Sequence, residues 1–153
     1  MLDPEELYNQ ALAEIKCENP DIERVKHLLN SAKDNGSVNA CYALATWYLH
    51  GTHFKKDIGK AIELLKIACE SNHPEALYDL AVCYEEGQGI PINAQEAFKL
   101  YLRSAIRGDR DAVEEVGRCY YHGIGIAEDR DIADIWLIRS EEVGGNKAVD
   151  ESE

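Results

Sequence analysis

Residues 76–97 read ALYDLAVCYEEGQGIPINAQEA, and this stretch decides the fold. Ala76, Leu80, Ala81 and Tyr84 stand at i, i+4, i+5 and i+8, one stripe of a helix with 3.6 residues per turn. Small residues in that stripe let a neighbouring helix approach closely, and the leucine and tyrosine fill the remaining space. Gly87 stops the helix, as a residue just past a helix end often must take positive φ. Asn93 opens a second helix; with Glu96 three residues on, it reads as a full capping box, and Pro91 sits two residues ahead.

Working outward, the same letters return every 36 residues. One period earlier stand Ala40, Leu44, Ala45, Tyr48 and Gly51; one period later stand Ala112, Val116, Gly117, Tyr120 and Gly123. The second helices repeat too, through Asp57, Asn93 and Asp129, then Ala61, Ala97 and Ala133, then Leu64, Leu100 and Trp136. Ala68 and Ser104 continue their stripe, which Gly108 and Gly144 are expected to end. Three full helix–turn–helix repeats result, at 39–74, 75–110 and 111–146. Residues 3–38 read as a degenerate first repeat. Asp3-Pro4-Glu5-Glu6 starts a helix running to about Lys16, and Pro20-Asp21 starts another whose Val25, Leu28, Ala32 and Gly36 lie one period before Ala61, Leu64, Ala68 and Asn72. Terminal repeats are expected to be atypical because water covers one face. The repeat domain is placed at 1–146, and the acidic tail 147–153 is expected to be disordered.

The bulk numbers narrow the function. With 153 residues and 45% hydrophobic content the chain can build a single core. A formal net charge of −13 opposes nucleic acid and anionic membranes and would attract a basic protein. No apolar run approaches the roughly 20 residues of a membrane span. The amino terminus lacks the basic and apolar regions of a signal peptide. Five cysteines cannot pair completely, so a reducing cytoplasm is the expected home, although a trimmed export signal is compatible with it.

The pattern A-x-x-x-L-A-x-x-Y-x-x-G-x-G-[IV]-x-x-[DN]-x-x-x-A resembles the Sel1-like repeat, a relative of the tetratricopeptide repeat. Residues 76–97 carry it, and Gly123, Gly125, Ile126 and Asp129 carry it again. The first full repeat departs from it: His53 stands where the second glycine belongs. Gly117 and Glu141 replace alanines in the last repeat. The resemblance implies an all-α fold, a right-handed α/α superhelix of about four helix–turn–helix repeats, and a binding scaffold rather than an enzyme. Disulfides eight residues apart, seen in some secreted members, are not expected, because Cys41 would need a partner at Lys33 and Cys69 one at Leu77.

Candidate chemical sites reduce to structure. The Gly87-Gln88-Gly89 and Gly123-Ile124-Gly125 loops follow no strand and recur with the period, so they are turns and not phosphate cradles. His50, Glu86 and His122 share a column, but stacked repeats would hold such side chains about 10 Å apart, too far for one zinc ion. Cys83 and Cys119 share the column of Trp47 and read as packed thiols at the edge of the stripe. Adjacent pairs such as Glu85/Glu86 and Glu114/Glu115 point about 100° apart on a helix, poor geometry for shared acid–base work. No catalytic residue, metal or cofactor is therefore expected.

First helices line the concave surface in this architecture. Opposite their packing stripes lie Tyr42, Thr46, Leu49 and His50; Tyr78, Val82, Glu85 and Glu86; and Glu114, Arg118, Tyr121 and His122. Tyrosines there would anchor a polypeptide, burying area while offering a hydrogen bond, unless they lean on neighbouring helices. From Asp109 to Glu153 the chain carries 13 acidic and 5 basic residues, a net of −8. The expectation is an interaction scaffold or adaptor for a protein or peptide, basic in character, acting as a monomer or weak dimer. The alternative is an immunity-type inhibitor that neutralises a basic toxin or enzyme by tight binding.

Overall fold

In the computed structural model the described backbone covers residues 2–150 and the described side chains 2–144. The tail expected to be disordered at 147–153 lies outside the described side chains. All described secondary structure is helical, and the chain divides into two compact units, Met1–Ser71 and Asn72–Glu153. The first unit holds α1 (Pro4–Ile15), α2 (Ile22–Asp34), α3 (Val38–His50) and α4 (Ile58–Glu70). The second holds α5 (Pro74–Glu86), α6 (Ala94–Ile106), α7 (Arg110–His122) and α8 (Arg130–Asp150). Within each unit, sequential helices pack as hairpins, and the second hairpin packs on the first through α2 and α3, or α6 and α7.

The 36-residue columns are the packing contacts. Ala40, Ala76 and Ala112, and likewise Ala61, Ala97 and Ala133, have no exposed surface at all. The first-helix stripe Ala40, Leu44, Ala45 and Tyr48 is buried as the sequence predicts, and in α2 the buried leucine is Leu29, with Leu28 half-buried beside it. Truncating a buried leucine such as Leu44 to alanine costs about 2–5 kcal/mol, transfer and cavity together. Ser104, also wholly buried, stands in the Ala68 column and donates to the Pro74 carbonyl at 2.8 Å. That bond offsets the cost of burying a hydroxyl among apolar neighbours.

Helix starts follow the expected caps. Asp3, Asp21, Asp57, Asn93 and Asp129 each accept from a backbone N–H in the first turn. The capping box at Asn93 is only half made. Asn93 Oδ1 accepts from the Glu96 N–H, but the Asn93 N–H donates to the Tyr84 carbonyl at 2.9 Å, and the Glu96 carboxylate turns to Lys99. The reason is periodic: Asp57 and Asp129 make the same 2.9 Å bond to Tyr48 and Tyr120. The α3–α4, α5–α6 and α7–α8 loops are thus each closed by a bond from the second helix's cap to the first helix's tyrosine carbonyl, whereas in the α1–α2 loop the Asp21 N–H donates to the Glu14 carboxylate at 3.1 Å. Gly144 does not end its helix, since α8 runs through it, unlike Gly108, which follows α6 at φ +104°. In the last loop Gly125 (φ +70°) sits against the start of α6: a Cβ there would lie 2.0 Å from the Ala94 carbonyl oxygen.

Candidate functional site

The expected surface residues can be placed unit by unit. In the first unit Tyr42, Thr46 and Leu49 are half-buried on α3 and His50 is exposed. The Thr46 hydroxyl donates to the Ala43 carbonyl of its own helix at 2.9 Å.

The second unit carries a connected constellation. Arg118 on α7 reaches back to Glu85 on α5, its terminal nitrogen 2.8 Å from both carboxylate oxygens, while Arg118 Nε donates to Glu115 at 2.7 Å. The buried Tyr101 of α6 donates its hydroxyl to Glu85 Oε2 at 2.8 Å, and the Tyr78 ring meets the Tyr101 ring edge-on at 5.5 Å between centroids. Three helices are therefore joined by one polar cluster.

Its electrostatics follow from that arrangement. Burial would lower the Arg118 pKa, but the hydrogen bonds to Glu115 and Glu85 outweigh it and hold the guanidinium charged. Tyr101 is raised by burial and by its bond to Glu85. Tyr78 is pushed up to about 12, first by burial and then by the Glu115 carboxylate. Near neutrality Arg118 therefore stays charged and Tyr78 and Tyr101 stay protonated, and the cluster braces the three helices together.

Beside the brace lies a shallow pocket of about 270 Å³ lined by Glu114, Arg118, Tyr121, His122 and Leu137. Tyr121 is held from two sides. His122 meets its ring edge-on at 4.9 Å, and the Arg130 guanidinium sits 4.4 Å from its centroid. Val82 is half-buried on α5, and Glu86 is exposed and takes a bond from the Gln88 side chain. Of the residues expected here, the structure brings Tyr78, Glu85, Glu114, Arg118, Tyr121 and His122 into the cluster and the pocket, together with Tyr101, Glu115 and Leu137, which were not among them. The available signal for Tyr101 was its column, where the other repeats carry Leu65 and Leu137.

Cys83 and Cys119 are buried, and burial pushes each thiol up to about 11. Cys41 and Cys69 are buried and unbridged, and Cys17 is exposed. Among the described residues no three His, Cys, Asp or Glu side chains converge on a point that could hold an ion. None of the described helices is long and apolar enough to cross a membrane.

Helix hairpins at a 36-residue period, with alanine contact columns and αL glycine caps, define a helical-repeat protein. The Sel1 repeat model matches residues 38–73, 74–109 and 111–143, and the chain belongs to the Sel1 repeat family, whose repeats commonly mediate contacts between proteins. Solved structures agree on the fold. A Sel1 repeat protein from Oxalobacter formigenes is 26% identical over 93% of this chain and 59% of its own, with a TM-score of 0.84. A protective antigen of uropathogenic Escherichia coli with an SLR fold is 23% identical over 94% of this chain and 34% of its own, with a TM-score of 0.81. An immunity protein from Pseudomonas aeruginosa is 21% identical over 92% of this chain and 53% of its own, with a TM-score of 0.63. This chain therefore spans less than two thirds of each of these relatives. No curated protein sequence matches it.

Proposed function

We propose that this chain is a protein-interaction module that takes a basic polypeptide partner on the first-helix face of its second unit. Tyr121 is the anchor of that face, with Glu114, Glu85, Glu86, His122 and Arg118 as its polar surround and Tyr78 and Val82 as its inner wall. Tyr42, Thr46, Leu49 and His50 form the corresponding row of the first unit. The observation that carries this reading is the pocket beside Tyr121, an aromatic ring and Leu137 next to an exposed carboxylate on braced helices. A lysine or arginine of a partner fits such a place, its stem on the ring and its charge at Glu114. The surrounding unit, residues 72–153, carries 18 acidic and 8 basic residues, which would speed the approach of a basic protein.

Parallel affinity capture with the wild type and with Glu114→Arg/Tyr121→Ala, quantified against each other, tests the proposal. A partner held by the wild type, released by salt and reduced at least about tenfold on the variant is the expected result. Equal recovery of every captured protein on both baits overturns it. The stoichiometry of that partner separates an adaptor from an immunity-type inhibitor. The inhibitor reading draws on the fold shared with the Pseudomonas aeruginosa immunity protein and on the chain's acidity. One basic partner bound tightly at one to one would select it.

A further inference from the structure

The first unit holds a site of opposite sign. A pocket of about 480 Å³ opens between α2 and the α3–α4 loop, and Lys26, Lys55, Lys56 and Lys60 all line it. Only two carboxylates, Glu23 and Asp57, join them there. No carboxylate lies within ion-pair distance of any of the four ammonium groups among the described residues, in a chain with 29 Asp and Glu. Converging, unpaired lysines repel one another, and an acidic protein has ample means to neutralise them.

Nothing in the repeat asks for these residues. The loop reads THFKKD at 52–57, against QGIPIN at 88–93 and IGIAED at 124–129. His53 also takes φ +61°, the left-handed conformation that Gly89 and Gly125 adopt in the other loops, at a cost of about 1–2 kcal/mol for a residue with a Cβ. That strain is kept while the imidazole packs edge-on to Trp47 at 4.7 Å and Phe54 turns inward against Trp47 and Tyr48, at 5.3 and 5.1 Å. The aromatic floor in turn positions the charges. Lys26 Nζ stands 5.3 Å from the Phe54 centroid and Lys60 Nζ 4.8 Å from the Tyr48 centroid.

We propose that this pocket binds an acidic peptide segment, its carboxylates distributed over the four lysines and an apolar or aromatic side chain on the Phe54–Tyr48 floor. Two features favour spread carboxylates over a single phosphate. The helix starts that would supply backbone N–H groups to a phosphate are already capped, α2 by Asp21 and α4 by Asp57. The cations are separate ammonium points with no arginine fork to grip one tetrahedral group.

The probe is a fluorescein-labelled, amidated peptide of four glutamates flanking one phenylalanine, with an all-glutamine counterpart, measured by anisotropy on the full chain. The glutamate peptide should bind, weaken with salt, and lose at least about tenfold in affinity on Lys55→Glu/Lys56→Glu. Both lysines are exposed loop residues, so that variant should melt like the wild type by circular dichroism; Lys26→Gln/Lys60→Gln, which keeps the loop intact, should weaken binding as well. Glu114→Arg/Tyr121→Ala, in the other unit, should leave peptide binding unchanged. Equal binding of the two peptides, indifference to both lysine variants, or displacement by inorganic phosphate where chloride of equal ionic strength has no effect would each overturn the proposal.

Discussion

Replacing Glu85 by alanine should destabilise the protein by about 2–3 kcal/mol, and the figure can be built from the cluster it holds together. Glu85 accepts two bonds from Arg118 and one from Tyr101. The ion pair is partly open, with side-chain exposures of 24% for Glu85 and 34% for Arg118, so solvent screening holds its share to about 1 kcal/mol. Arg118 also keeps Glu115, which limits the loss further. The larger share comes from Tyr101, whose residue is only 2% exposed. Its hydroxyl loses its acceptor in the interior, a cost of about 1–2 kcal/mol. Urea melts followed by far-UV circular dichroism would measure the loss, and a thermal melt should fall by roughly 5–10 °C for a chain of this size. Tyr101→Phe provides the decisive comparison. Removing the hydroxyl should cost about 1 kcal/mol alone, and most of that should vanish on the Glu85→Ala background, since no orphaned donor then remains. If the two substitutions are additive within about 0.3 kcal/mol, the hydroxyl and carboxylate do not depend on one another and the account of the brace is wrong.

Two further outcomes follow from the packing and the thiols. Gly125→Ala should destabilise by more than about 2 kcal/mol, because it forces a Cβ both into positive φ and to within 2.0 Å of the Ala94 carbonyl oxygen; a calorimetric melting temperature equal to wild type would contradict that. A thiol reagent should label Cys17 rapidly in the native protein and Cys41, Cys69, Cys83 and Cys119 only on unfolding. The thiols of Cys83 and Cys119 are raised by burial from the ordinary value near 9 to about 11, so their contribution to stability is complete below pH 9 and is lost as pH rises toward 11. Cys83→Ala/Cys119→Ala should flatten the alkaline fall in stability over that window, and a slope identical to wild type would refute the assignment.

The helices, their order and most of their contact faces were legible in the chain itself, the exceptions being Leu28, expected where Leu29 is buried, and Gly144, expected to end the helix that runs through it. A stripe such as Ala76, Leu80, Ala81 states which side of a helix is buried, and its return every 36 residues states that the same contact is made again. Both are properties of spacing, and spacing is all a linear pattern contains. Caps were equally legible at Asp57, Asn93 and Asp129, because an N-cap bond spans three residues. Gly117, by contrast, stood in the sequence only as a replacement of the repeat's alanine. In the fold it makes room for Leu137, whose Cδ2 would lie 2.8 Å from a Cβ at that position.

What tertiary structure alone decided is which columns meet. Glu85 and Arg118 lie 33 residues apart and not 36, so aligning repeats column by column sets them in different rows. Their pairing depends on the rotation and offset of α7 against α5, which side-chain packing sets and periodicity does not encode. The lysine pocket is a similar case. Lys26 comes from one hairpin, and Lys55, Lys56 and Lys60 come from the next. Their convergence exists only once α2 lies beside the α3–α4 loop. The sequence fixes each helix's buried face through local spacing, while charges meeting across helices depend on distances that only the packed chain defines.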